Sequence, residues 1–512
     1  MKRILAVLFF LPFFVQTGVG EMGYTSFKDI RAQVRAGKGA APVIGSIVPV
    51  KFRVEEGPVV EPAGDVLHIK DSQVAAFVQR LIDIEVKVNG VETLTDAHVD
   101  RIVDGIVAMD IRFVDPIPTE RWDAILKAMG DLMEKEYGKK TGKAPSKTQD
   151  WDVLVDRMLK KAVEELKEPH SWYMDPAQVK AFREEMAGTV TGIGAGVSAD
   201  PKGMKLDVIY PGSGAEAAGL LAGDVIIKVN GVPMAGHPID DVIKRVRGDE
   251  GTTVNIQVLR NGKPMRPVKV VRKTIEQPNV FSKMAAPKIG YVYLSEFNQK
   301  SDEKVLNAMD ALRAQGAKSF ILDLRSDPGG LVTVVAEILS QFLSDGEAIV
   351  AFKHQGQVDS KVIAEGDGRF VEFPLVVLVD DSSASASEIM AAGIQDLRGG
   401  PVIIGSRSYG KGTQQIILPQ KDGRALKITE NRWYSPHDRH IDAKHDAEGN
   451  EIPGTGGVAP NISVEVPKEQ AEKVMEQIVL ELTGRPVPEP RVKDPVLEKA
   501  VEVLSIGAAD IE

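Results

Sequence analysis

The chain of 512 residues contains no cysteine. That excludes disulfides, thiolate metal sites, a cysteine nucleophile and a lipidated N-terminal cysteine. It also lacks the H-E-x-x-H pattern of helical zinc sites and the G-x-S-x-G elbow of α/β-hydrolases. Beyond residue 15 no apolar run is long enough to span a bilayer. Positive charge is not in excess. The formal net charge of -10 gives no sign of a nucleic-acid partner and reads as plain solubility. No long internal repeat is present.

What is there is globular in composition, with 43% hydrophobic and 27% charged residues, and long enough for two to four domains. The N-terminus reads as a signal peptide, residues 1–20. Lys2 and Arg3 form a positive n-region, residues 4–15 an apolar core, and Gly18 and Gly20 suit a peptidase cutting near residue 20. The expected location is periplasmic or secreted, with membrane attachment if the segment stays uncleaved.

Residues 21–187 read as an irregular lead-in followed by a helical region. Its clearest stripe is Trp151, Leu154, Val155, Met158, Leu159, Ala162, Val163 and Leu166, with Asp150 as N-cap. Residues 188–274 read as a compact β-rich module. Strands are expected at 205–210, 224–229 and 253–260, with Asn230-Gly231 and Asn261-Gly262 turns and a short helix around Ile239–Val246. From residue 275 to 467 strands at 289–294, 319–324, 374–379 and 402–404 alternate with helices at 303–315, 332–342 and 385–397. That alternation predicts a layered α/β domain. Residues 468–512 read as a charged helical segment.

The chemistry concentrates where Ser383, Ser385 and Ser387 precede a helix after an apolar strand, with Gly410-Lys411-Gly412 a short way on. A serine attacks a peptide only with a neutral base beside it, and a buried lysine can be that base because desolvation disfavours its ammonium form. Taken singly, a serine run before a helix is ordinary capping and a Gly-Lys-Gly is ordinary turn; their order and neighbours favour hydrolysis. Residues 405–411 also fit G-x-x-x-x-G-K, but Gly412 and a strand follow where a phosphate loop needs Ser or Thr and a helix. His437, His440 and His445 among aspartates match no standard metal spacing. Neither metal nor cofactor is expected.

The whole set resembles the carboxy-terminal processing (tail-specific) protease family over roughly residues 155–505. The likeness rests on Glu168-Pro169-His170-Ser171, Asp323-Leu324-Arg325, Pro328-Gly329-Gly330, Ser383 to Ile389, and Gly410-Lys411-Gly412-Thr413. It implies a multidomain fold: an α/β Ser-Lys protease core with β-α layers of the crotonase and Clp kind, an inserted PDZ domain and an N-terminal helical region. It implies Ser385 as nucleophile, Lys411 as base, Gln415 to orient the lysine, and the N–H groups of Gly329 and Ala386 as oxyanion hole. Asp396 carries functional weight in the family, although its place near a helix end reads as structural. In the PDZ-like module, Gly192, Ile193, Gly194 and Ala195 sit where a peptide's C-terminal carboxylate is bound. The implied function is an exported serine endopeptidase acting from or near protein C-termini. A non-catalytic PDZ scaffold or ligand carrier is the competing class. Protein or peptide tails are the expected partners, with a lipoprotein or periplasmic adaptor and a second copy of the chain as further classes. Departures from the family are Ser326-Asp327 where asparagines are usual, Tyr409 for phenylalanine, and one extra residue between serine and lysine, placed at Gly399-Gly400.

Overall fold

The computed structural model describes residues 53–56, 69, 73–74, 76–78, 80–81, 95–135, 148–366, 368–400, 402–443, 452 and 454–509. The expected signal peptide, most of the lead-in and His445 lie outside them. The chain forms two compact units that are discontinuous in sequence. One holds residues up to Val179 with Ala351–Ile363 and Thr413–Tyr434; the other holds Lys180–Val350, Ala364–Gly412 and residues from Ser435 onward.

In the first unit three helices, Asp96–Arg112, Thr119–Met133 and Thr148–Glu164, share a core with one face of a sheet. The Trp151 to Leu166 stripe is buried, as its 3.6-residue spacing requires. The helix starts at Thr148, so Asp150 lies in its first turn and is not the N-cap expected from the sequence. The sheet runs Arg53–Glu56, Gln357–Ile363, Ala348–His354, Ala425–Tyr434, Thr413–Pro419, with Trp172–Met174 also pairing Ala425–Tyr434. Leu426 and Ile428 point into the helical core.

The second unit contains two sheets that matter for function. The β-rich module has an antiparallel sheet that begins at Val268–Val271 and ends on Ala195–Asp200 as an edge strand. The amphipathic helix Ile239–Val246 buries Val242 and Val246 in the same core as Leu206, Ile226 and Ile256. The α/β core has a sheet in the order Val280–Ala286, Ile289–Leu294, Ser319–Asp323, Leu375–Val379, Ile403–Gly405, Ile462–Ser463. All but the first strand run parallel. Its central strands are buried throughout, as expected of a parallel sheet covered on both faces. One face, through Tyr291, Ile321, Val376 and Ile404, packs on the C-terminal helices Lys468–Leu482 and Pro495–Ala509.

This topology places the site. The neighbouring parallel strands Ser319–Asp323, Leu375–Val379 and Ile403–Gly405 release three loops at their carboxyl ends: 324–331, 380–385 and 406–412. Open α/β sheets gather ligands at that edge. Those loops carry Pro328-Gly329-Gly330, Ser385 and Lys411.

Candidate active site

The three serines divide by their hydrogen bonds. Ser383 Oγ donates to the Leu324 carbonyl (2.8 Å), tying the serine loop to the adjacent strand end. Ser387 Oγ donates to the Asp327 carbonyl (3.0 Å), and the Ala384 N–H reaches that same carbonyl (3.0 Å). Ser385 is the N-cap residue of the Ala386–Arg398 helix and pairs with Glu388 as a capping box. The Glu388 N–H is taken by the Ser385 carbonyl at 2.9 Å. Ser385 also has φ 55° and ψ -111°, a backbone geometry that costs a non-glycine residue on the order of 1–3 kcal/mol and is held by its surroundings. Two serines build the turn, and the third, half-buried, is its strained residue.

The surroundings that hold it centre on Glu388, which is fully buried. Its carboxylate accepts four hydrogen bonds: the Ser385 N–H (2.8 Å), the Lys411 N–H (2.8 Å), the Gly410 N–H (2.6 Å) and the Ser408 hydroxyl (2.6 Å). One side chain thus joins the serine turn to the lysine loop. Burial pushes its carboxyl above the usual 4.5, and the four donors pull it back toward ionisation. The sequence reading assigned Glu388 no role, although it stands three residues past Ser385, the S-x-x-E spacing of a capping box. Lys411 itself is half-buried. At Gly412 a Cβ would fall 2.6 Å from the Asp442 N–H nitrogen, so only glycine lets the lysine loop pass.

The third loop is anchored by Asp323 and Arg325. Arg325 bonds Asp323 (2.6 Å) and Asp494 (2.7 Å), and Tyr291 donates its hydroxyl to Asp323 (2.8 Å). From this anchor the chain turns through Ser326 and Asp327 to Gly329, whose φ is +100°. A Cβ on Gly329 would sit 2.6 Å from the Ala384 oxygen and 2.8 Å from the Ala386 nitrogen. The Pro-Gly-Gly loop therefore lies directly against the serine turn. Among the described residues the Ala386 N–H has no acceptor. The Gly329 N–H does have one, Asp327 Oδ1 at 2.7 Å. Its assignment as a free oxyanion donor therefore conflicts with the geometry. The Gly329 carbonyl accepts from the Phe297 N–H (2.8 Å), so the trans peptide turns the Gly330 N–H away from Phe297, and that N–H meets no described acceptor.

Asp396 is not brought to the site. It lies eleven residues along a helix from Ser385, about 16 Å at 1.5 Å per residue. Its carboxylate accepts from the Ser435 hydroxyl (2.5 Å), the His437 N–H (3.0 Å) and the Arg439 guanidinium. It pins the 435–439 loop. Gln415 belongs to the first unit. There its Nε2 donates to Thr413 Oγ1 (3.0 Å) and Thr429 Oγ1 (3.2 Å), and Thr429 Oγ1 donates to Glu168 (2.7 Å), which also takes the Ser171 hydroxyl (2.5 Å). The Glu-Pro-His-Ser run thereby braces the glutamine, a link no sequence spacing reveals. Gly399 and Gly400 follow the end of the serine helix in open space.

In the β-rich module, Gly192 to Ala195 joins the strands Thr189–Gly192 and Ala195–Asp200. The carbonyls of Ile193 and Gly194 accept from Ala215 and Tyr210 (2.8 and 3.0 Å), while their N–H groups meet no described acceptor. Backbone donors without acceptors, beside an edge strand, suit a carboxylate.

A strained serine at a helix start, a lysine loop bonded to the same carboxylate, and open N–H groups are parts that a serine peptidase site requires. The comparisons agree. Peptidase family S41 matches residues 288–464, and a PDZ domain matches residues 207–260. The carboxy-terminal processing protease CtpA of Bacillus subtilis (strain 168) is 33% identical over 339 residues, 66% of this chain and 69% of that protein. A probable CtpA-like serine protease of Staphylococcus aureus (strain COL) is 32% identical over 332 residues, 64% of each chain. Among solved structures, the photosystem II D1 C-terminal processing protease is 25% identical, with 72% of this chain and 94% of that one covered at a TM-score of 0.43, too low to transfer geometry. The chain belongs to peptidase family S41, the carboxy-terminal processing proteases, and is a serine peptidase with a PDZ domain.

Proposed function

We propose that this peptidase is exported and cuts proteins from or near their C-termini through a Ser-Lys acyl-enzyme. The observation that carries the reading is Glu388, whose carboxylate bonds the backbones of Ser385 and Lys411 at 2.8 Å each. A tail's terminal carboxylate docks on the N–H groups of the 192–195 loop. The Ser385 oxygen attacks the scissile carbonyl and its proton passes to the neutral Lys411 amine, which Gln415 orients. The oxyanion takes the Ala386 N–H and, from the Pro-Gly-Gly loop, the Gly330 N–H in place of Gly329. The lysine then returns the proton to the leaving amine, and water releases the acyl group by the same steps. A lipoprotein or periplasmic adaptor and a second copy of the chain belong to this proposal as further partners.

The test is cleavage of an unstructured-tail substrate by the full chain. Ser385→Ala and Lys411→Ala are expected to lower kcat by roughly 10⁴-fold or more, as when a nucleophile or its base is removed. Wild-type activity is expected to fall on acidification as the amine protonates. Either variant retaining full activity would reject the site. N-terminal sequencing of the cell-made chain checks export: a start near residue 21 agrees, and a start at Met1 in the cytoplasmic fraction refutes it.

A further inference from the structure

Asp327 stands in the oxyanion loop where the family resemblance calls for asparagine. Its side chain is fully buried. Oδ1 accepts the Gly329 N–H at 2.7 Å, and Oδ2 has no hydrogen-bond partner. Asp327 forms no ion pair with a described residue. The cation of the same loop, Arg325, is committed to Asp323 and Asp494. The charged groups that face Asp327 from other elements are acidic: Glu296 before the Ser301–Ala314 helix and Asp380 after the Leu375–Val379 strand. Tyr293 faces the same cluster from its own strand, and the Ser387 hydroxyl is spent on the Asp327 backbone carbonyl.

An ionised carboxylate with an unpaired buried oxygen costs far more than a buried hydroxyl. A negative charge here would also stand beside the turn where the reaction itself builds negative charge on the substrate oxygen. Resting on the Ser385 assignment above, we propose that Asp327 is a positioning residue that works as a neutral carboxylic acid, fixing the Pro-Gly-Gly loop through Gly329 so that the Gly330 N–H meets the oxyanion. Losing its proton places an anion next to the oxyanion and stops turnover. Burial, the first cause, and the Glu296 and Asp380 charges push the Asp327 carboxyl well above the usual range, against the pull of the Gly329 N–H and the Ser387 hydroxyl. Glu296, itself pushed up to about 7 by burial and by Glu185, joins the same acid cluster.

The experiment compares full-length wild type, Asp327→Asn, Asp327→Ala and Ser385→Ala in pH–rate profiles, with infrared spectra of the protonated-carboxyl C=O region. Asn keeps the acceptor for Gly329 and cannot ionise. Asp327→Asn is expected to stay within about threefold of wild type at neutral pH, because its bond survives. Wild type is expected to show an alkaline fall in rate and a protonated-carboxyl C=O band, and Asp327→Asn to lack both. Asp327→Ala is expected to lose tenfold or more at every pH, approaching the roughly 10²-fold cost of removing an oxyanion donor. Identical alkaline limbs in wild type and Asp327→Asn, or no C=O band lost at neutral pH, overturn the proposal while an inactive Ser385→Ala leaves the site standing. An active Ser385→Ala fails the site itself.

Discussion

Two carboxyl groups flank the Ser385 turn, both fully buried, and they are supplied with donors very differently. Glu388 receives four hydrogen bonds, three of them from backbone N–H groups. Asp327 receives one at its side chain and leaves an oxygen unpaired. Burial lifts both above their usual values, so burial alone does not decide their charge. The number of donors does. Four donors fit an acceptor-only anion, whereas one donor and two acidic neighbours fit a neutral acid. The same site therefore holds a charged brace under the nucleophile and lysine and an uncharged brace under the oxyanion loop.

Removing the charged brace is expected to do the most damage. Glu388→Ala leaves four donors without an acceptor, each worth about 1–3 kcal/mol, and is expected to lower stability by more than about 3 kcal/mol and abolish activity. Glu388→Gln keeps the shape but must turn an NH₂ toward one of the four donors. It is expected to cost activity while Asp327→Asn does not, and equal effects of the two amides would break the contrast. Denaturant unfolding alongside kcat/KM checks both.

A third carboxylate, that of Asp396, sharpens the picture because it is buried and well supplied yet distant. Asp396→Asn loosens the 435–439 loop. It is expected to cost about 1–2 kcal/mol of stability, as for a buried charged hydrogen bond, with kcat within a few-fold of wild type. A large loss of kcat with unchanged stability would return Asp396 to the reaction.

The smallest expected effect is on stability against pH. The Asp327 carboxyl is raised in the folded state, so the folded chain holds that proton more tightly than the unfolded chain does. Its contribution is whole below the usual 3.8 and drains away as pH climbs toward the raised value. Asp327→Asn is expected to flatten that part of the curve and to gain on wild type as pH rises. A parallel curve would show Asp327 already ionised.

Much of this was legible in the sequence. The strand Ile289–Leu294 and the strand Thr253–Arg260 fall where an apolar run and an alternating run bounded by turn residues predicted them. The Ser-run helix and the lysine loop fall as expected because glycines and the apolar strands before them punctuate the chain. The pairing of Ala425–Tyr434 with Thr413–Pro419 and Trp172–Met174 was not legible, since register depends on partners far away in sequence. The same limit hid the Glu168–Thr429–Gln415 chain of bonds. Asp327 was visible as a departure, but its unpaired oxygen is a property of the packed loop alone.

The most direct measurement is mass spectrometry of the full chain quenched during turnover of a tail substrate. The account predicts an acyl group on the peptide containing Ser385, absent in Ser385→Ala and not accumulating in Lys411→Ala. Turnover with an adduct on another residue, or an acylated Lys411→Ala forming at the wild-type rate, would contradict it.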